Sequence, residues 1–172
     1  AWRAYCNKKE DSFITKKVKA EVSGLLKLCV MPLSENGGRG QEDDVRWDDV
    51  RRFLREATDE EKKAAAEEVT ERGRFPLYLA CACRPPADVV ETLLEASPQT
   101  VHRGNDAGMT PLHAACSQGA SEEVVRLLID RGGGKQASLA QEEDGWTPLH
   151  FACSKGASEA VVRLLIDGGG GK

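Results

Sequence analysis

A histidine stands three residues ahead of a cysteine twice in this chain, as His113 with Cys116 and His150 with Cys153. Residues three apart on a helix share a face, and imidazole with thiolate is a zinc donor pair. Each pair supplies only two of four donors, and three residues ahead of Cys81 stands Tyr78. On successive packed helices the pairs would sit roughly 10 Å apart, too far for shared tetrahedral ligation. That separation also exceeds the ~7 Å Cα limit of a disulfide. Cys81 and Cys83 make C-x-C, not the C-x-x-C of redox motifs. The cysteines read as small core residues, with Cys83 the one expected to meet solvent. A cysteine–histidine nucleophile needs an orienting group and an oxyanion pocket, and no pattern in the chain supplies either. "GGGK" at 132–135 lacks the spacing and strand of a phosphate loop and reads as a helix stop. The expectation is therefore no catalytic residue, no metal and no cofactor.

The elements that hold these residues must be aliphatic. Aromatics are 5% of the 172 residues, hydrophobic residues 40% and charged residues 30%, the profile of a folded domain whose core is Leu, Val, Ile and Ala. The net charge of −4 is uneven: residues 1–40 are net basic, 41–72 net acidic and 73–172 mildly acidic. Lys8, Lys9, Lys16, Lys17 and Lys19 form a modest basic cluster, best read as a solvated face. No stretch argues for nucleic acid as main partner, and none reaches the 18 apolar residues of a membrane span. Six cysteines without a secretory leader point to reduced thiols, hence cytoplasm or nucleus.

The histidine–cysteine pairs recur because their surroundings recur. Thr110–Lys135 and Thr147–Lys172 differ at four positions only: Ala114/Phe151, Gln118/Lys155, Glu123/Ala160 and Arg131/Gly168. A third, degenerate copy begins at Phe75-Pro76-Leu77-Tyr78. It keeps a Gly three residues before the Pro (Gly73, Gly108, Gly145) and a Cys five after (Cys81, Cys116, Cys153). It also keeps the Val pairs Val89-Val90, Val124-Val125 and Val161-Val162. The prolines are spaced by 35 and 37 residues. Each copy predicts two helices. Thr110 or Thr147 caps the first, Pro opens it without losing a bond, and Gly119 or Gly156 ends it. Ser121 or Ser158 caps the second, whose apolar residues at 124, 125, 128 and 129 make one buried stripe. One such pair is too thin to close a core, so the copies must stack.

"G-x-TPLH-x-A", the helix-ending Gly and "VV-x-LL" resemble the ankyrin-repeat family over roughly residues 73–172, with units 73–107, 108–144 and 145–172. The resemblance implies an all-α solenoid of antiparallel helix pairs, with β-hairpin or loop fingers projecting at the joints. It implies that the first helices line a concave face, and that His113 and His150 bond to backbone and to the adjacent Thr hydroxyl. The family period is roughly 33 residues. The excess here falls in an extra residue after Gly119 and Gly156 and in "RGGGKQASLAQEED", whose glycine run predicts loose fingers.

Upstream, "WDDVRRFLREA" matches the second-helix pattern through Val50, Phe53 and Leu54, giving a capping half-repeat within 45–72. "TDEEKKAAAEEVTERG" carries a Thr58–Glu61 capping box, but with so little apolar surface it predicts an external insertion. Residues 34–44 read as a flexible linker. Within the N-terminal segment 1–33, Val18, Val22, Leu25 and Cys29 lie on one face of a helix over 16–30, expected to cap the stack.

Under the resemblance, residues after the finger glycine and at the end of the first helix face the concave groove. The expected partner-binding set is Arg74, Cys83, Met109, Ser117, Gln118, Trp146, Ser154 and Lys155, with Trp146 foremost as an aromatic anchor. Asp106, Glu142, Glu143 and Asp144 are expected to form an acidic rim. The function predicted is non-catalytic binding of another protein, by a monomer or by part of a longer chain with further repeats beyond Lys172. An accessory region of an enzyme or ubiquitin-ligase adaptor is the second reading, and a metal- or thiol-dependent protein the third.

Overall fold

The computed structural model describes residues 24–29 and 43–168. Val18, Val22, the lysine cluster, residues 30–42 and 169–172 lie outside the described residues, and with them most of the expected linker and the start of the helix over 16–30. What is described of that helix is α1 (Gly24–Cys29). Residues 43 and 44, expected in the linker, instead open α2 (Asp43–Glu56). Then follow α3 (Asp59–Glu67), α4 (Pro76–Cys81), α5 (Ala87–Ala96), a 3-10 turn η1 (Pro98–His102), α6 (Pro111–Gln118) and α7 (Glu122–Arg131). A single turn, α8 (Lys135–Ser138), leads to α9 (Pro148–Ser154) and α10 (Glu159–Asp167). No strand occurs among the described residues.

The helices form two rows. α1, α4, α6 and α9 pack in series, and α2, α5, α7 and α10 pack in series behind them. The interface between rows and between units is one continuous apolar core. Leu77, Cys81, Leu93 and Leu94 lead into Leu112, Cys116, Val124, Val125, Leu128 and Ile129, all essentially without solvent contact. Capping works as the residue types require. The Ser121 hydroxyl accepts from the Val124 amide at 3.4 Å and the Ser158 hydroxyl from Val161 at 3.3 Å. Gly119 takes φ +69°, a left-handed turn that ends α6 without a Cβ penalty.

Two expectations are corrected here. The half-repeat is a full pair: α1 packs on α2 as α4 does on α5. The sequence carried this signal, because Leu25 and Cys29 keep the four-residue spacing of Leu77 and Cys81, and of Leu112 and Cys116. Leu25 and Cys29 are buried like their counterparts. With Gly24 where the others have Pro, the match was hidden. Arg51 fastens this pair to the next, donating from Nε to Asp88 at 2.7 Å and from Nη1 to Asp48 at 2.8 Å.

The second correction concerns α3, which is no external insertion. Ala65 and Ala66 are buried, and the helix packs against α1, α4 and α5. Methyl groups suffice because a small-residue face lets helices approach closely. η1, against α5, α6 and α7, and α8, against α7 and α10, take up the comparable stretch of the next two units. Most of the residues in excess of the family period therefore fall in packed helical turns. Gly132 makes this possible: a Cβ there would lie 2.6 Å from the Leu128 carbonyl oxygen and 2.8 Å from Ala137 Cβ.

The fingers are tight, contrary to the reading of the glycine run. Thr70–Arg74, Asn105–Met109 and Glu142–Trp146 fold alike. In each, the first residue's amide donates to the fifth residue's carbonyl, at 2.8, 3.0 and 3.2 Å. In each, the first side chain accepts from the amides of the third and fifth residues, through Thr70 Oγ1, Asn105 Oδ1 and Glu142 Oε1. Successive fingers are also tied, Asp106 N–H to Arg72 C=O at 3.3 Å and Glu143 N–H to Ala107 C=O at 3.1 Å.

Candidate functional site

The residue types that first drew attention are structural fasteners. In the middle unit His113 is fully buried. Its Nδ1 accepts from the Thr110 amide at 3.1 Å and lies 2.9 Å from the Thr110 hydroxyl. That leaves the proton on Nε2, which donates to the Trp146 carbonyl of the next unit at 3.1 Å. Burial holds the imidazole below its ordinary pKa, opposed by the Trp146 and Ala140 carbonyls and by Glu142. Tyr78, at the same register in the preceding unit, reaches the same place one unit on: its hydroxyl donates to Met109 Sδ at 3.9 Å. Both ring nitrogens of His113 are thus committed to the joint. Burial raises the Cys116 thiol to about 12 and raises Cys81 further, so neither is a poised nucleophile. Among the described residues no group of three or more His, Cys, Asp or Glu is gathered around a metal-sized site.

The expected partner-binding residues fall on three register positions, and exposure sorts them. Two residues before each proline stand Arg74, Met109 and Trp146: half-buried, buried at 2% and exposed at 45%. Six residues after it stand Ala82, Ser117 and Ser154: half-buried, buried and exposed. At both positions the middle unit is closed. Met109 and Ser117 are therefore corrected: Met109 lies under the Tyr78 hydroxyl, and the Ser117 hydroxyl is turned back to the Ala114 carbonyl at 2.9 Å. Ser154 bonds Phe151 in the same way at 2.8 Å, so its exposure and that of Trp146 reflect their place in the last described unit. Of the three, only the position seven residues after the proline is buried in no unit: Cys83 and Gln118 are half-buried and Lys155 is exposed.

At the finger tips Asp106, Glu143 and Asp144 are exposed as expected of a rim. Glu142 is not part of it, because its carboxylate is folded into its own finger. A feature that residue types did not reveal is Arg84. It occupies the register of Gly119 and Gly156 at φ +53°, and its Nε donates to the Gln118 carbonyl at 2.7 Å. Among the described residues, a depression of about 720 Å³ between α2 and α3 is lined by Phe53, Ala57, Ala64 and Ala65 with glutamates, and one of about 620 Å³ is lined by Trp47, Arg84, Pro86 and Ser121.

A family model described as ankyrin repeats in three copies matches residues 77–171, more than half of the chain. The chain belongs to the ankyrin-repeat family. A search of curated proteins returns no match. The match spans the pairs α4–α5, α6–α7 and α9–α10, and α1–α2 packs ahead of it in the same two rows. Ankyrin repeats are in general protein–protein interaction modules. Among the described residues no helix is long and apolar enough to cross a membrane.

Proposed function

We propose that this chain is a non-catalytic protein-binding module that holds its partner along the row of first helices and the finger tips. The observation that carries the reading is the division of labour along that row. In the middle unit Met109, Leu112 and His113 are spent on stacking, while along the row Cys83 and Gln118 are only half-buried and Lys155 is exposed, and at the finger tips Asp106, Glu143 and Asp144 are exposed. In such a stack the contact groups sit on helices and closed turns, so little conformational entropy is lost when a partner binds. The rim of like charge favours a partner with a basic edge and speeds its approach at low salt. Reduced thiols suit a cytoplasmic or nuclear setting, and a single chain acting as monomer or as part of a larger polypeptide suits the open row.

Affinity capture comparing the wild type with a Gln118→Ala, Lys155→Glu, Asp106→Lys, Glu143→Lys variant tests the reading. These residues carry little packing, so unfolding should be unchanged. A partner bound directly by the purified wild type should be lost by at least tenfold in affinity. Equal retention of every directly bound partner by both proteins would remove the reading.

A further inference from the structure

After the Ala57–Thr58 link, α3 packs against α1, α4 and α5, and it spends Ala65 and Ala66 on that packing. Between α2 and α3 lies the depression of about 720 Å³. Phe53 and Ala57 line it from the α2 side and Ala64 from α3, the first two half-buried and Ala64 exposed. Apart from these and Ala65, every residue that lines it is a glutamate, and no Lys or Arg does. The spacing is that of two helix faces. Phe53, Glu56 and Ala57 stand at i, i+3 and i+4, and Glu61, Ala64 and Ala65 repeat those intervals. Each wall thus sets apolar surface beside carboxylate.

The carboxylates have neutral partners. Glu61 accepts from the Thr58 amide at 2.8 Å and the Thr58 hydroxyl at 2.9 Å. Glu67 accepts from the Gln99 side-chain amide at 2.6 Å and the Ser97 hydroxyl at 3.4 Å. Three cations of α2 and α3 are engaged with other carboxylates: Arg51 with Asp48 and Asp88, Arg52 with Asp49, and Lys62 with Asp59. Like charges gathered round an apolar floor repel one another, and a cation brought among them removes that repulsion.

We propose that this groove docks a segment of a partner protein in which large apolar residues are flanked by Lys or Arg. The apolar side chains cover Phe53, Ala57 and Ala64. The cations reach the glutamates of both walls, with their methylene stems lying along the alanines. Acidic walls turn away nucleic acid and anionic lipid, and a net charge of −4 makes a second copy of this chain a poor match. The groove shares no residue with the row of first helices or the finger tips, so the inference does not rest on the partner-binding reading.

The test is fluorescence anisotropy with the full chain and a labelled, end-blocked peptide of lysine and arginine with two central leucines. The expected result is saturable one-to-one binding that weakens as salt rises. Glu56→Lys with Ala64→Lys should weaken it at least tenfold, as should serine in place of the peptide's leucines. Both substituted positions are exposed, so urea unfolding should be unchanged. Asp106→Lys with Glu143→Lys, a larger charge change at the finger tips, should alter binding twofold or less. An equal loss in the two variants overturns the proposal, since net charge alone would then attract the peptide. Equal binding of the serine peptide overturns it, as does no binding to the wild type. A full chain carrying Lys8→Gln, Lys9→Gln, Lys16→Gln, Lys17→Gln and Lys19→Gln identifies one rival occupant: binding seen only there assigns the groove to the chain's own basic segment and overturns the proposal. Self-association of the wild type that Glu56→Lys abolishes also overturns it, in favour of a second copy.

Discussion

His113 shows how one side chain can hold two units. It accepts from its own helix cap and donates to the next unit's carbonyl, from a site without solvent. Removing it leaves the Thr110 amide unpaired inside the joint and the Trp146 carbonyl with only the Glu142 amide of its own finger. His113→Ala should cost about 2–4 kcal/mol in urea unfolding. The pH response has a fixed sign. The folded-state pKa lies below the ordinary value, so protonation favours the unfolded chain. The contribution is complete above about pH 6.5 and is lost as pH falls towards the folded value. Urea midpoints at pH 7.5 and 5.5 should therefore fall more for the wild type than for His113→Ala. Equal falls would mean that another group carries the effect.

At the scale of the element, what ends each helix matters as much as what starts it. Gly119 and Gly156 end α6 and α9 with φ +69° and +66°, while Arg84 stands in the same register at +53°. A side chain in that region costs about 1–2 kcal/mol. Arg84 offsets this by placing its guanidinium on the Gln118 carbonyl at the C-terminal end of α6, where a cation is favoured. Arg84→Ala loses the bond and keeps the backbone cost; Arg84→Gly loses the bond and relieves the cost. The alanine variant should be the less stable by about 1 kcal/mol, measured by chemical denaturation of both. A glycine variant no better than alanine would show that the left-handed turn carries no penalty here.

At the scale of the whole molecule, stability lives between units. A residue walled on both sides should matter more than its copy at an open end. Leu128 is fully buried in the middle unit and Leu165 is 4% exposed in the last. Leu128→Ala should cost about 3–5 kcal/mol, and Leu165→Ala about half as much, since one side of its cavity can relax. Equal costs in parallel denaturation curves would mean that the end pair is walled in solution as the middle pair is.

Much of this molecule is written in its residues one neighbourhood at a time. Proline at the start, glycine at the stop, serine caps and paired valines are local signals, and each of the three clear pairs appears where they stand. The near-identity of two copies also implied stacking, because equal shapes offer equal walls. What local signals do not contain is how many neighbours a position has. Met109 and Trp146, or Ser117 and Ser154, share a register and differ in exposure only because one unit has a successor within the described residues. Likewise the glycine run looks loose until α8 is seen packed over Gly132, and the leucine and cysteine of α1 look like a stray helix until α2 and α4 close around them. Local chemistry decided the elements; burial, which depends on contacts far apart in the chain, decided which residues were left to meet a partner.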